Sequence, residues 1–326
     1  MIGRILVCLV LLIVAVGAAG GLAWHRYTAP GPATVAVTVV IPKGAGLEEI
    51  SMRLADAGLI GEPRIFAIGA WLDGSYRRFK WGEFEFAARS SPQDVAEHIV
   101  LGKTIQRRLT IPEGLTNRQV MELIARADGM EGDIVPRPEG SLMPDTWFYS
   151  WGDLRDRLVE RQRQAMTRLL QDLWRQRAPG SPLKTPQEAL ILASIVEKET
   201  ALAEERPKVA AVYLNRLRKG MRLQADPTVV YGINEGAGPL DRPLGRADLE
   251  TPHAWNTYLI DGLPPSPIAN PGRASIEAVL KPAQTEDLYF VADGNGGHVF
   301  ARTLVEHNRN VERFRALERQ RTPMRN

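Results

Sequence analysis

The sequence predicts an α+β fold that begins with an N-terminal transmembrane helix. Three observations carry this expectation. A charge-free apolar run opens the chain. A strand–turn–helix pattern then occurs twice. A capped, wholly apolar helix follows a Pro/Gly break and opens a second, mixed α+β domain. Anchor (1–24), linker (25–34), duplicated βα region (35–135), connector (136–184) and last domain (185–318) are the expected divisions.

Ile5 to Ala23 carries no charge. At ~1.5 Å per residue this run extends about 28 Å, close to the ~30 Å hydrocarbon core of a bilayer. Arg4 precedes it, and Trp24, His25, Arg26 and Tyr27 follow, so the flanking arginines leave orientation open. The alternative is a cleaved signal peptide. The run exceeds the ~7–15 residues of a typical signal-peptide core, which favours a retained anchor with the bulk of the chain outside the cytoplasm.

Composition excludes several classes. A hydrophobic fraction of 44% and a charged fraction of 24% fit a globular chain rather than a disordered one. A net charge of +3 with no basic run gives nucleic acid nothing to bind. Cys8 lies inside the apolar run and is the sole cysteine, which rules out thiol catalysis and cysteine zinc sites in the folded part. No HExxH pair occurs among the five histidines, so no metal is expected.

The duplication is read from Val40-Ile41-Pro42-Lys43-Gly44 and Thr110-Ile111-Pro112-Glu113-Gly114. Ile50, Leu54, Ala55 and Ala57 then align with Val120, Ile124, Ala125 and Ala127. Val35, Val37 and Val39 alternate as in a half-buried strand. Trp81 to Phe86 reads as a further strand, and Ser91-Pro92-Gln93-Asp94 starts a helix through His98. Asp153 to Arg177 reads as a charged helix with an apolar stripe of Leu154, Leu158, Met166, Leu169, Leu170 and Leu173.

Thr185-Pro186-Gln187-Glu188 is a capping box with proline at the first helical position. The helix runs through Ala189 to Val196 without a charge and ends in Glu197-Lys198-Glu199-Thr200. Glu197 continues the row of Leu190, Ala193 and Ser194, so it is expected at the rim of a core, where lost solvation raises a carboxyl pKa. Glu199 lies about 200° further around and is expected to point elsewhere. A structural ion pair of Glu197 with Arg206, Arg216 or Lys198 is the alternative. Val209 to Leu217 reads as a helix ended by Gly220, Met221 to Thr228 as a loop, and Gly262 to Ile268 as a proline-stiffened loop. Leu288 to Ala292 reads as a strand, Asp293 to His298 as a turn and Val299-Phe300 as the returning strand.

The runs Ala193-Ser194-Ile195-Val196-Glu197-Lys198-Glu199-Thr200, Asn215-Arg216-Leu217, Leu223-Gln224-Ala225-Asp226-Pro227-Thr228-Val229, Asn256-Thr257-Tyr258, Gly262-Leu263-Pro264-Pro265 and Tyr289-Phe290-Val291-Ala292-Asp293-Gly294 resemble the endolytic murein transglycosylase (YceG-like) family. Ala225 and Ser266 depart from its usual Thr and Gly. The resemblance implies a single-pass inner-membrane protein facing the periplasm, with LysM-like βα subdomains before its catalytic domain. It implies cleavage within nascent peptidoglycan glycan strands, near synthases of the penicillin-binding type. It maps the family's catalytic Glu onto Glu197 and implies no metal or organic cofactor. Gln224, Asp226, Asn256 and Tyr258 are candidates for binding the sugar. The alternatives are a hydrolase with Glu197 and Asp226 as paired carboxylates, and a wall-binding scaffold without catalysis. Asp226 precedes a proline, so turn capping is an equal expectation for it.

Overall fold

A computed structural model describes residues 2–321; Met1, at the expected cytoplasmic end, and residues 322–326 lie outside the described residues. Its mixed helices and strands fall into two compact units. The first comprises residues 1–108, 128–131 and 148–153, and the second comprises 109–127, 132–147 and 154–326. The duplicated region expected at 35–135 is therefore shared between the two.

The first unit opens with α1 (Ile2–Thr28), which contains the long apolar run. β1 (Val37–Ile41) pairs antiparallel with β2 (Gly82–Phe86), matching Val39 to Phe84. The expected alternation begins later than predicted: Val35 lies outside the strand and is exposed. Between the strands lie α2 (Leu47–Asp56), α3 (Pro63–Leu72) and one 3₁₀ turn, Ser75–Arg78. α4 (Pro92–Leu101) follows β2 and has the predicted cap. Ser91 accepts the Asp94 N–H, and Asp94 accepts that of Ser91. Val39, Ile41, Leu54, Phe66, Phe84, Phe86, Val95 and Ile99 form the core.

β3 (Arg107–Thr110) pairs with β4 (Thr146–Tyr149), and the division between units passes through both. The turn after each IP.G strand requires glycine, because Gly44 has φ 83° and Gly114 has φ 77°. α5 (Asn117–Ala125) completes the second copy, capped by Thr116 and Gln119.

The second unit is built around one helix. α6 (Arg155–Arg175) buries Leu158, Met166, Leu169, Leu170 and Leu173; Leu154 stands at its N-cap and is exposed, outside the stripe expected of it. α7 (Pro186–Glu199) buries every residue from Ala189 to Val196 and packs on α6, α8 (Arg206–Arg218) and α11 (Arg273–Leu280). Only half of its capping box forms: Thr185 accepts the Glu188 N–H, but the Glu188 carboxylate takes the Lys184 N–H. The stretch Met221 to Thr228, expected as a loop, is helical from Asp226. α9 (Asp226–Asn234) starts there because Pro227 suits the first turn of a helix. The short α10 (Arg246–Glu250) leads into the proline-rich segment. That segment is pinned to α7 by Ser194, whose Oγ accepts the Ile268 N–H at 3.0 Å. β5 (Tyr289–Ala292) and β6 (His298–Ala301) form the predicted hairpin, closed by Asp293, and α12 (Leu304–Arg321) follows.

Candidate active site

α7 ends at Glu199, and that last helical residue opens onto a cavity of about 360 Å³. Tyr213 and Arg216 of α8, Leu223, Gln224 and Asp226 at the entry to α9, Tyr258, Phe290 of β5 and His307 of α12 complete its lining. Three residues expected from the sequence thus come together here: Gln224, Asp226 and Tyr258. Tyr258 Oη donates to Asp226 Oδ1 at 2.5 Å.

Two expected residues do not line the cavity. Asn256 is fully buried and ties its loop to the end of α10: Nδ2 donates to the Leu249 and Thr251 carbonyls, and Oδ1 accepts the Tyr258 N–H. It holds Tyr258 in place and has no free polar atom aimed at a ligand. Glu197 faces the other way. Its Oε2 accepts the Gly272 N–H at 2.9 Å and the Ser275 hydroxyl at 2.8 Å, in the first turn of α11. Its Oε1 lies 3.5 Å from Arg206, which also lies 3.7 Å from Glu113. The structural alternative, pairing with Arg206, is the arrangement present.

Glu199, expected to point away from the site, is half-buried in the cavity wall. Burial pushes its pKa from an ordinary 4.5 up to about 7; Asp226 adds to the rise, while the Tyr213 hydrogen bond, His298 and Arg216 oppose it. Tyr213 Oη donates to Glu199 Oε1 at 2.5 Å. Tyr213 is itself held neutral by burial and by Glu199. His298 is fixed near this group by Glu205, whose Oε1 accepts the His298 N–H at 2.7 Å while its Oε2 lies 2.6 Å from Nδ1.

Arg216 organises the opposite wall. Its Nε donates to the Leu288 carbonyl at 2.7 Å, and its Nη1 reaches the Leu223 carbonyl and Gln224 Oε1. Gln224 sits at φ 52°, a left-handed backbone uncommon for a side-chain-bearing residue. Local strain of this kind persists where surrounding bonds over-determine it; here they are the Gln224 N–H bond to the Thr257 carbonyl and the Arg216 contact. His307 stacks on Tyr289, and its buried Nδ1 has no hydrogen-bond partner among the described residues.

Sequence reasoning missed Glu199, Tyr213, Arg216 and His307 as parts of one cavity. Arg216 lay within a run already singled out. No sequence signal joins His307, from the last helix, to the others.

One acid poised near neutrality, a fixed hydroxyl against it, a second carboxylate and an aromatic wall suit acid/base work on a polar, uncharged substrate. The chain resembles the endolytic murein transglycosylase of Bacillus subtilis, with 46% identity over 125 residues, 38% of this chain and 34% of that protein. It resembles the protein of the same name from Streptococcus pneumoniae, with 28% identity over 324 residues, 84% of this chain and 58% of that protein. The chain therefore spans 34–58% of the length of these curated relatives. A crystal structure of a YceG-like protein from Listeria monocytogenes superposes with a TM-score of 0.53 at 28% identity, covering 84% of this chain and 98% of that one. The model of the YceG-like family matches residues 39–313, most of the chain, and the chain belongs to that family.

Proposed function

We propose that this protein is a peptidoglycan lytic transglycosylase whose single acid/base group is Glu199. The observation that carries the proposal is the desolvated Glu199 carboxyl, raised to about 7 and fixed by Tyr213 in a cavity shared with Gln224, Asp226 and Tyr258. This replaces Glu197, whose two oxygens are committed to Gly272, Ser275 and Arg206.

In this mechanism protonated Glu199 donates to the oxygen linking N-acetylmuramic acid to N-acetylglucosamine. The glycosidic bond breaks, and the departing sugar keeps that proton. The Glu199 carboxylate then accepts the proton of the muramyl C6 hydroxyl as its oxygen bonds to C1. The products are a 1,6-anhydro end and a new non-reducing end, with no water consumed. Tyr213, Arg216 and His298 stabilise the carboxylate between the two steps, since each favours its charged form. The names of the curated relatives support this substrate class, and their endolytic label supports cleavage within strands. The strand–turn–helix copies would hold the same strand in LysM-like fashion. Synthases of the penicillin-binding type are the proposed partners, as suppliers of nascent strands.

The second reading, a hydrolase, is favoured by one observation: Asp226 lines the same cavity as Glu199. Mass spectra of digested murein decide between them. Anhydro-muramyl ends support the transglycosylase, and reducing ends sink it.

The proposal fixes a pH dependence. The acid must be protonated, so kcat should fall as pH rises through about 7. The folded pKa is above the unfolded one, so the stability from this group is full below the ordinary 4.5 and lost as pH rises through about 7. A rate profile whose basic limb lies below pH 5.5, or that shows no limb up to pH 9, would contradict the assignment.

Anchoring by α1 is proposed with the remainder in the periplasm. Its apolar stretch has the length and composition to cross a membrane. A reporter active only in the periplasm, fused after the chain, should be active, whereas activity of a cytoplasm-only reporter there would overturn the orientation.

A further inference from the structure

α3 carries two apolar faces. One, formed by Phe66, Gly69 and Ala70, is buried in the core of the first unit. The other consists of Ile68, Trp71 and Leu72, spaced i, i+3, i+4 on one side of the helix. These three are 55%, 61% and 65% exposed. A row of large apolar side chains on a short helix needs a partner, and its position says which.

α3 is locked to the exit of the anchor. Tyr27 is buried, and its ring lies so close to Gly69 that a Cβ there would meet it at 2.4 Å. Its hydroxyl donates to Asp73 Oδ2, at the end of α3, at 2.9 Å. Tyr27 lies four residues past Ala23, the end of the charge-free run, or ~6 Å along a helix axis. The headgroup layer on each side of a bilayer is about 5–8 Å deep. The anchor thus delivers α3 at the depth of that layer. Trp24 stands exposed on the same end of the anchor, and Arg77 and Arg78, both exposed, follow α3 directly. An aromatic–aliphatic face flanked by cations is the pattern of an interfacial helix on anionic lipid.

The geometry points to α3 as a membrane-surface helix: its Ile68, Trp71 and Leu72 face lies among the lipid headgroups, with Arg77 and Arg78 on lipid phosphates. This rests on α1 being inserted but not on any catalytic assignment. It makes the anchor a two-point mount, so that the first unit is held at the bilayer rather than tethered above it.

The test uses the full chain in nanodiscs, with Cys8→Ser so that one introduced cysteine takes an NBD label. Leu72→Cys reports on α3 and Val16→Cys on the anchor. With doxyl-labelled phosphatidylglycerol, the position 72 label should be quenched at least about twofold, as for a side chain in lipid contact. It should also be shielded from aqueous iodide. Exchanging phosphatidylglycerol for phosphatidylcholine carrying the same doxyl label, or Arg77→Glu with Arg78→Glu, should weaken the quenching. Quenching at position 16 without quenching at position 72 would overturn the proposal while leaving the anchor in place. Shielding from iodide without lipid quenching would put a protein on this face and also overturn it. No quenching at position 16 would remove the anchor and the proposal together. Equal quenching in the two lipids would remove the arginines from it.

Discussion

Glu199→Gln should abolish most release of anhydro-muramyl ends from purified murein, by at least the ~10²–10⁴-fold typical of a lost general acid. Gln keeps the shape of Glu199 and can still accept the Tyr213 hydroxyl. It has no proton to give at neutral pH. Folding should change little, because the native carboxyl is already about half protonated near its pKa of about 7. Glu197→Gln is the matched control. It leaves Arg206 with only the more distant Glu113 and weakens the hold on Gly272 and Ser275. That should appear mainly as lost stability, on the order of 1–3 kcal/mol for charge-assisted bonds, with turnover kept within about tenfold of the native rate. The reverse pattern, with Glu197→Gln inactive and Glu199→Gln active, would return the acid to Glu197.

Arg216→Met should be the most destabilising single change in the cavity wall. The guanidinium is buried, and it donates to the carbonyls of Leu288, Leu223 and Arg222 and to Gln224 Oε1. Those acceptors come from the residue just before β5 and from the loop before α9, so one side chain joins segments distant in sequence. Each carbonyl left buried and unpaired costs about 1–3 kcal/mol. A thioether recovers part of that by packing, so a net loss of about 3–5 kcal/mol is expected. At ~2–4 °C per kcal/mol for a unit of this size, the melting temperature should drop by roughly 10 °C. Turnover should fall as well, since Gln224 would lose a bond that supports its left-handed backbone. Arg216→Lys should rescue little, because a single ammonium cannot reach both sides as a planar fork does. Thermal denaturation that leaves Arg216→Met within 2 °C of the native protein would refute this account.

Local features were legible wherever the signal was local. The Ser91 cap, the turn glycines of the two IP.G copies and the hairpin of β5 and β6 follow from a few adjacent residues. Each is observed where the sequence puts it. The errors share a cause. Asp226 was read as loop because its short polar side chain and the following proline suit a turn as well as a helix start. The docking of Thr257 on Ala225 and Thr228 favours the helix. Asn256 looked like a ligand group because polar loop residues often are. Its partners, Leu249 in α10 and Thr251 just after it, are near in sequence, but only the path of the chain brings their carbonyls to it.

The choice between Glu197 and Glu199 shows the boundary most sharply. The sequence by itself determined that α7 is a capped, buried helix and that two carboxylates leave its C-terminal turn on different sides. It also determined the length of the apolar run and the family. It could not determine which carboxylate meets the cavity, because a helix that is apolar all round has no polar face to set its phase. That was decided by what packs on each side. α11 presents its first-turn N–H and a hydroxyl to Glu197, which holds that group as an anchor point. α8 presents the Tyr213 hydroxyl and a dry wall to Glu199, and burial there moves the pKa to about 7. Desolvation is a sum over neighbours contributed by distant segments, so it exists only once the chain has folded.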